Sequence, residues 1–218
     1  MTATAKNTKL RVAVMASGGG SNLQRLLDNF PAGDDSLASA QVVLVVTDRS
    51  AVGALERAAK AGVRGEVVSP TEFDDASQFG DRLNELFAEE RVGLVVLAGY
   101  LKMVPPNVVA RFSNRMINIH PALLPSFGGK GMYGRRVHEA VLRFGAKLSG
   151  PTVHFVNEEY DRGPVIAQRA VPVYFEDTAE QLANRVLKQE HELLPEVVEL
   201  IASGRVEVSG GLVRIQRD

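Results

Sequence analysis

An amide and an imidazole stand two residues apart in Asn118-Ile119-His120-Pro121. In an extended strand, residues i and i+2 point to the same side, so both would face one bound molecule. Pro121 biases His120 away from helix and predicts that the strand ends there. A carboxylate from a distant loop, Asp161 in Tyr160-Asp161-Arg162-Gly163-Pro164, could complete the set. Amide, imidazole and carboxylate around one reacting carbon suit acyl or formyl transfer. Each group also has a plainer reading. A strand-end His or Asn can be a satisfied polar residue, and an Asp before Gly-Pro can cap a turn.

A second cluster is Gly18-Gly19-Gly20-Ser21-Asn22. It falls where an apolar strand (Leu10 to Ala16) gives way to a helix predicted through Phe30. Glycines let the backbone turn tightly and approach a ligand, and the free N–H groups of the helix start favour an anion such as phosphate. A plain Gly-rich turn is the alternative. A dinucleotide fingerprint is the sharper rival, with Asp48 as its ribose-binding acid, but Leu23 stands where a third glycine is needed. No Lys follows the glycines, which excludes a Walker loop. His138, His154 and His191 are weaker candidates, and no spacing matches a metal motif such as His-Glu-x-x-His.

The elements that must position these groups alternate. Apolar strands are predicted at 41–46, 65–69, 92–97, 116–120, 151–156 and 165–173. Helices are predicted at 51–61, 73–90, 105–112, 137–144 and 178–202, the last interrupted near Pro195. Continuous apolar strands alternating with helices imply an α/β fold: a Rossmann-like, mostly parallel twisted sheet with helices on both faces. Residues 123–134 read as a Gly-rich loop. Val206 to Ile215, with Ser209-Gly210-Gly211 between its arms, reads as a hairpin whose edge a homodimer could use. The expected organisation is a flexible N-terminus (1–9) and a single domain (10–218), with a turn-rich connection at 31–36.

The 218 residues suffice for one α/β domain with a substantial core. The formal net charge of −1 provides no bulk field for nucleic acid or a membrane surface. There is no Cys, which excludes disulfides, thiolate catalysis and Cys-ligated zinc. No stretch is apolar enough for a signal peptide or membrane span. The expectation is a cytoplasmic protein without nucleic-acid or membrane partners.

Longer matches then enter. Ser17-Gly18-Gly19-Gly20-Ser21-Asn22-Leu23-Gln24, Leu97-Ala98-Gly99-Tyr100, Asn118 to Pro125, Gly150 to Val156, Asp161 to Ile166 and Gln189-Glu190-His191 occur in one order and spacing. On these motifs the chain resembles the phosphoribosylglycinamide formyltransferase family, from about Leu10 to Arg205. The resemblance implies a folate-dependent reaction of purine biosynthesis: 10-formyltetrahydrofolate, as cosubstrate, gives its formyl group to the amine of glycinamide ribonucleotide, with no metal required.

Carried over by position, Gly20, Ser21 and Asn22 would hold the substrate phosphate, and Glu190 its ribose hydroxyls. Leu101, Lys102, Met103 and Val104 would line the pterin pocket with Asn118 and the stretch Val156, Asn157, Glu158, Glu159, Tyr160 and Asp161. Asn118, His120 and Asp161 would be catalytic, with Asp161 keeping His120 protonated. Departures are the long loop 127–134, whose contacts the resemblance does not assign, Ala76 near a position where some members carry a folate-contacting Arg, and Leu187 where some carry Gln. Formyltetrahydrofolate deformylase is a near rival that uses water as acceptor. It normally carries an N-terminal regulatory domain, for which a first strand at Leu10 is expected to leave no room. Methionyl-tRNA formyltransferase is expected to need a further C-terminal domain and a basic surface. A non-catalytic nucleotide-binding protein is the rival from another class.

Overall fold

A computed structural model describes residues 9–33 and 38–216. The predicted flexible N-terminus, except Lys9, and residues 34–36 of the turn-rich connection lie outside the described residues. The chain runs β1 (Leu10–Ala16), α1 (Ser21–Asn29), β2 (Ala40–Thr47), α2 (Gly53–Lys60), β3 (Arg64–Val67), α3 (Ala76–Glu89), β4 (Leu94–Leu97), α4 (Pro106–Arg111) and β5 (Met116–His120). It continues with α5 (Arg135–Phe144), β6 (Leu148–Ser149), β7 (Thr152–Phe155), β8 (Val165–Gln168), β9 (Val171–Pro172), α6 (Ala179–Ala202), β10 (Val206–Ser209) and β11 (Leu212–Ile215).

Seven strands form the central sheet in the order β3-β2-β1-β4-β5-β7-β8. The first five are parallel, and β7 and β8 are antiparallel to their neighbours. Strand alternation divides the core between the two faces. Val12, Val14 and Ala16 pack with α1 and α6, while Ala13 and Met15 pack with α3 and α4. All five are fully buried, which is why β1 reads as a continuous apolar run. Chain order reverses beside β1, whose neighbours are β2 and β4. Open α/β sheets bind ligands at the carboxyl ends of strands beside such a reversal.

Three departures from the sequence reading go beyond a shift of one or two residues at an element's end. The helix expected from Phe73 starts at Ala76, because Asp75 caps it by accepting from the Gln78 N–H at 2.9 Å, after a 3-10 turn at Pro70–Glu72. The strand expected over 165–173 is two strands, and β9 leaves the main sheet to pair with β6. The long helix is not interrupted at Pro195. α6 passes through it, held by fully buried Leu194, Val197 and Val198 and started by a Thr178–Gln181 capping box. Packing on the sheet outweighs the backbone bond that proline removes. The C-terminal residues form the predicted hairpin, with Val206↔Ile215 and Ser209↔Leu212 in register and Val206, Val208, Val213 and Ile215 against the core.

Candidate active site

β5 ends at His120, and the chain beyond it is pinned. Thr152 Oγ1 donates to the Ala122 carbonyl at 2.6 Å and accepts from the Leu124 N–H at 3.0 Å. Strand register then sets the site. Asn118 lies opposite His154, and His120 opposite Thr152, across the antiparallel β5–β7 pair. The Asn118 amide nitrogen is 3.2 Å from His154 Nε2 and 3.4 Å from Asp161 Oδ1. His154 Nδ1 donates to the Phe155 carbonyl at 2.8 Å, which leaves Nε2 to accept from Asn118.

Asp161 reaches this cluster from the turn after β7, in the left-handed region at φ 54°. Its Oδ2 lies 3.5 Å from His120 Nδ1, and its Oδ1 lies 3.6 Å from His154 Nε2. The same Oδ2 accepts the Gly129 N–H at 2.8 Å. His120 donates from Nε2 to the Phe127 carbonyl at 2.8 Å. The Gly-rich loop 127–134 is thus tied to both His120 and Asp161 by its backbone. Phe127, at φ 56°, is held left-handed to present that carbonyl. The Phe127 bond puts one proton on Nε2, so in neutral His120 the Nδ1 lone pair faces Asp161.

Electrostatics correct one expectation. Burial pushes His120 below the ordinary imidazole value and prevails over the opposing pull of Asp161 and the Phe127 carbonyl. His120 is therefore neutral near pH 7 in the free protein, not held cationic by Asp161. Burial pulls Asp161 upward, but the closeness of the His154 and His120 imidazoles and the Gly129 N–H outweigh it and hold its carboxyl below the usual range. The carboxylate stays ionised.

These groups line one cavity of about 820 Å³. Leu101, Lys102, Met103 and Val104 form part of its wall, as do Val156, Asn157, Glu158, Glu159, Tyr160 and Asp161. Ser17 Oγ accepts the Leu101 N–H at 2.9 Å and fixes the start of the first stretch beside the glycine turn. Asn22 and Glu190 form a distinct part of the wall. Asn22 Nδ2 donates to Glu190 Oε2 at 2.6 Å, and Asn22 Oδ1 is buried without a partner. Burial raises Glu190, with the Asn22 bond opposing. Gly20 and Ser21 precede Asn22 and are not part of the cavity wall. No side-chain bond caps α1, so its first N–H groups retain their donors.

Two of the weaker sequence candidates line the site. His154 read as an ordinary strand His, and only its pairing with Asn118 marks it. His138, in the first turn of α5, lines the cavity, is 5% exposed, and has a buried Nδ1 without a partner. Burial, with some contribution from His120, pushes its pKa down to about 4. His191, by contrast, does not line the cavity. Among the described residues no group of three or more His, Asp or Glu is placed to hold a metal ion, and no helix is long and apolar enough to cross a membrane.

The arrangement has relatives. A phosphoribosylglycinamide formyltransferase of Haemophilus influenzae is 33% identical over 202 residues, covering 93% of this chain and 92% of that protein. A chloroplastic phosphoribosylglycinamide formyltransferase of Arabidopsis thaliana is 44% identical over 198 residues, covering 90% of this chain and 67% of that protein. The chain spans 62% of the corresponding Vigna unguiculata protein and 19% of the human trifunctional purine biosynthetic protein adenosine-3. The crystal structure of glycinamide ribonucleotide transformylase 1 from Symbiobacterium toebii superposes with a TM-score of 0.87 at 38% identity, covering 96% of this chain and 95% of that one. A formyltetrahydrofolate deformylase from Pseudomonas syringae shares the fold at 24% identity, with a TM-score of 0.85. Residues 10–198 match the Formyl transferase family, and the site lies within that span, so the chain belongs to that family.

Proposed function

We propose that the chain transfers the formyl group of 10-formyltetrahydrofolate to the amine of glycinamide ribonucleotide in purine biosynthesis. The observation that carries this reading is the convergence of Asn118, His120 and Asp161 on a cavity that also holds Asn22 and Glu190. The cavity volume suits a ligand of folate size. Apolar Leu101, Met103 and Val104 offer a bed for a flat ring system, and the loop at 156–161 offers polar backbone. The cosubstrate supplies the formyl carbon and the leaving nitrogen.

The residues then divide the work. The N–H groups of Gly20, Ser21 and Asn22 hold the phosphate, and Glu190 accepts from ribose hydroxyls. The substrate amine attacks the formyl carbon, so no protein nucleophile is required. As negative charge grows on the formyl oxygen, the Asn118 N–H that lies 3.4 Å from Asp161 Oδ1 in the free protein turns to donate to it, a contact worth about 3 kcal/mol for a good donor. Neutral His120 accepts the proton leaving the attacking amine at Nδ1, directly or across one water. The imidazolium so formed is held by Asp161 and the Phe127 carbonyl. It adds its charge beside the oxyanion and returns the proton to the departing nitrogen as the carbon–nitrogen bond breaks.

The single domain over 10–218, with a phosphate-binding first half and a folate-binding, catalytic second half, belongs to the same proposal. So does the metal-free reaction. A cytoplasmic setting without nucleic-acid or membrane partners suits two water-soluble substrates; the Arabidopsis and Vigna relatives are named chloroplastic.

The test is to mix purified protein with 10-formyltetrahydrofolate, with and without glycinamide ribonucleotide, following folate absorbance and formylated product. Product that depends on the ribonucleotide is expected. Formate release without it would identify a deformylase, and no turnover in either mixture would identify a binding protein.

A further inference from the structure

The glycine turn 18–20 is held from behind by α2. The Gly18 carbonyl accepts the Ala54 N–H at 3.2 Å, and the Gly19 carbonyl accepts the Arg57 Nε–H at 2.8 Å. Arg57 Nη1 also donates to Gln24 Oε1 at 2.8 Å, which ties the guanidinium to α1. The approach is close. A Cβ on Gly20 would lie 2.9 Å from Ala54 Cα, and one on Gly53 would lie 2.9 Å from the Gly19 oxygen. Gly53 and Arg57 are four residues apart on α2, so they share the face turned toward the glycine turn.

A trans peptide points its C=O and N–H in opposite directions. The only cis bond among the described residues is Leu124–Pro125. With the Gly18 and Gly19 carbonyls both bonded to α2, the N–H groups of Gly19 and Gly20 point away from it. They join the first-turn donors of α1, whose Asn22 carries a buried oxygen without a partner. Nothing in the glycines themselves enforces this. Residues without Cβ can flip a peptide at little steric expense, and a flip at Gly19–Gly20 would turn a carbonyl oxygen toward the anion.

We infer that Arg57 is a positioning residue for the substrate phosphate: by capping the Gly19 carbonyl, it keeps the Gly20 N–H aimed at the ligand. This deepens the proposed function and rests on it. Arg57 acts through the turn, and its effect is confined to the phosphate end of the substrate.

The experiment compares the parent with Arg57→Met and Arg57→Lys. For each, the KM values for the ribonucleotide and for folate, kcat at saturation, and competitive inhibition by inorganic phosphate are measured. Arg57→Met is expected to raise the ribonucleotide KM and weaken phosphate inhibition by the same factor, about tenfold for a lost charged donor. The folate KM and kcat stay unchanged, as does KM for the dephosphorylated ribonucleoside. Arg57→Lys, which retains a donor, recovers most of the loss. A thermal melt checks that each variant folds. If phosphate competes in the parent and Arg57→Met leaves that competition unaltered, or raises the ribonucleoside KM equally, the role of Arg57 is refuted while the proposed function stands. If phosphate does not compete with the ribonucleotide in the parent, the assignment of the turn fails and this inference fails with it.

Discussion

Replacing Gly163 with alanine tests whether catalysis depends on the placement of Asp161. Gly163 lies two residues after Asp161 and flush against β7. A Cβ there would sit 1.8 Å from the Phe155 carbonyl oxygen, which also accepts from His154 Nδ1. Contacts under 3.0 Å are essentially never seen for a Cβ, so something must retreat by about 1.2 Å, from 1.8 to 3.0 Å. β7 is hydrogen-bonded to strands on both sides, so the turn that carries Asp161 is the part that yields. A displacement of that size at a reacting group costs about a hundredfold in rate, roughly 3 kcal/mol in the barrier. Gly163→Ala is therefore expected to lose about a hundredfold in kcat/KM, while inhibition by inorganic phosphate at the Asn22 end is retained. Steady-state kinetics, phosphate competition and a thermal melt read these three quantities. A folded Gly163→Ala protein with undiminished kcat/KM would refute the reasoning.

Three further outcomes follow from the site. His120 titrates below its ordinary value, so kcat/KM should fall on its acid side as protonation removes the Nδ1 acceptor. Asp161→Asn removes the attraction for that proton and should move the acid limb to lower pH in the residual activity; an unmoved limb, or an alkaline limb that shifts instead, would contradict the assignment. His138 is pushed down to about 4, so between pH 6.5 and 4 the unfolded chain takes up a proton that the folded chain refuses, and stability falls with pH. His138→Leu should remove up to about 3 kcal/mol of that acid loss, and urea titrations across the window with equal slopes in parent and variant would disprove it. Asn22→Asp places a second carboxyl where the amide now meets Glu190 at 2.6 Å, and it should weaken ribonucleotide binding far more than folate binding; equal losses for both ligands would count against the site.

The sequence carried the fold because core strands such as β4, and β1 from Val12 to Ala16, are continuously apolar, and because helices such as α3 and α6 carry ordinary capping residues. It carried Asn118 and His120 because i, i+2 spacing before a proline fixes their direction locally. His154 was not legible as a partner, since its place opposite Asn118 depends on antiparallel pairing between strands separated by a loop and a helix. The tether from loop 127–134 was invisible for a different reason. The Phe127 carbonyl and the Gly129 N–H are backbone atoms, and every non-proline residue has both. The protonation of His120 was misread because a nearby carboxylate can be found in sequence, whereas the depth of burial that outweighs it cannot. The helix through Pro195 was missed likewise, because the packing that overrides a local breaker comes from the sheet beneath.

In the proposed reaction, the Asn118–His154 pairing makes alignment between two strands a catalytic parameter. Deleting one residue within β7 would turn the imidazole to the opposite face of the sheet. Deleting two would restore the face but shift the ring about 7 Å along the strand, away from the amide. Length changes near this strand are therefore tolerable only outside the paired segment, in the turns on either side. Divergence in this part of the molecule should be richer in substitutions than in insertions, a constraint set by hydrogen-bond spacing and not by the chemistry of any single side chain.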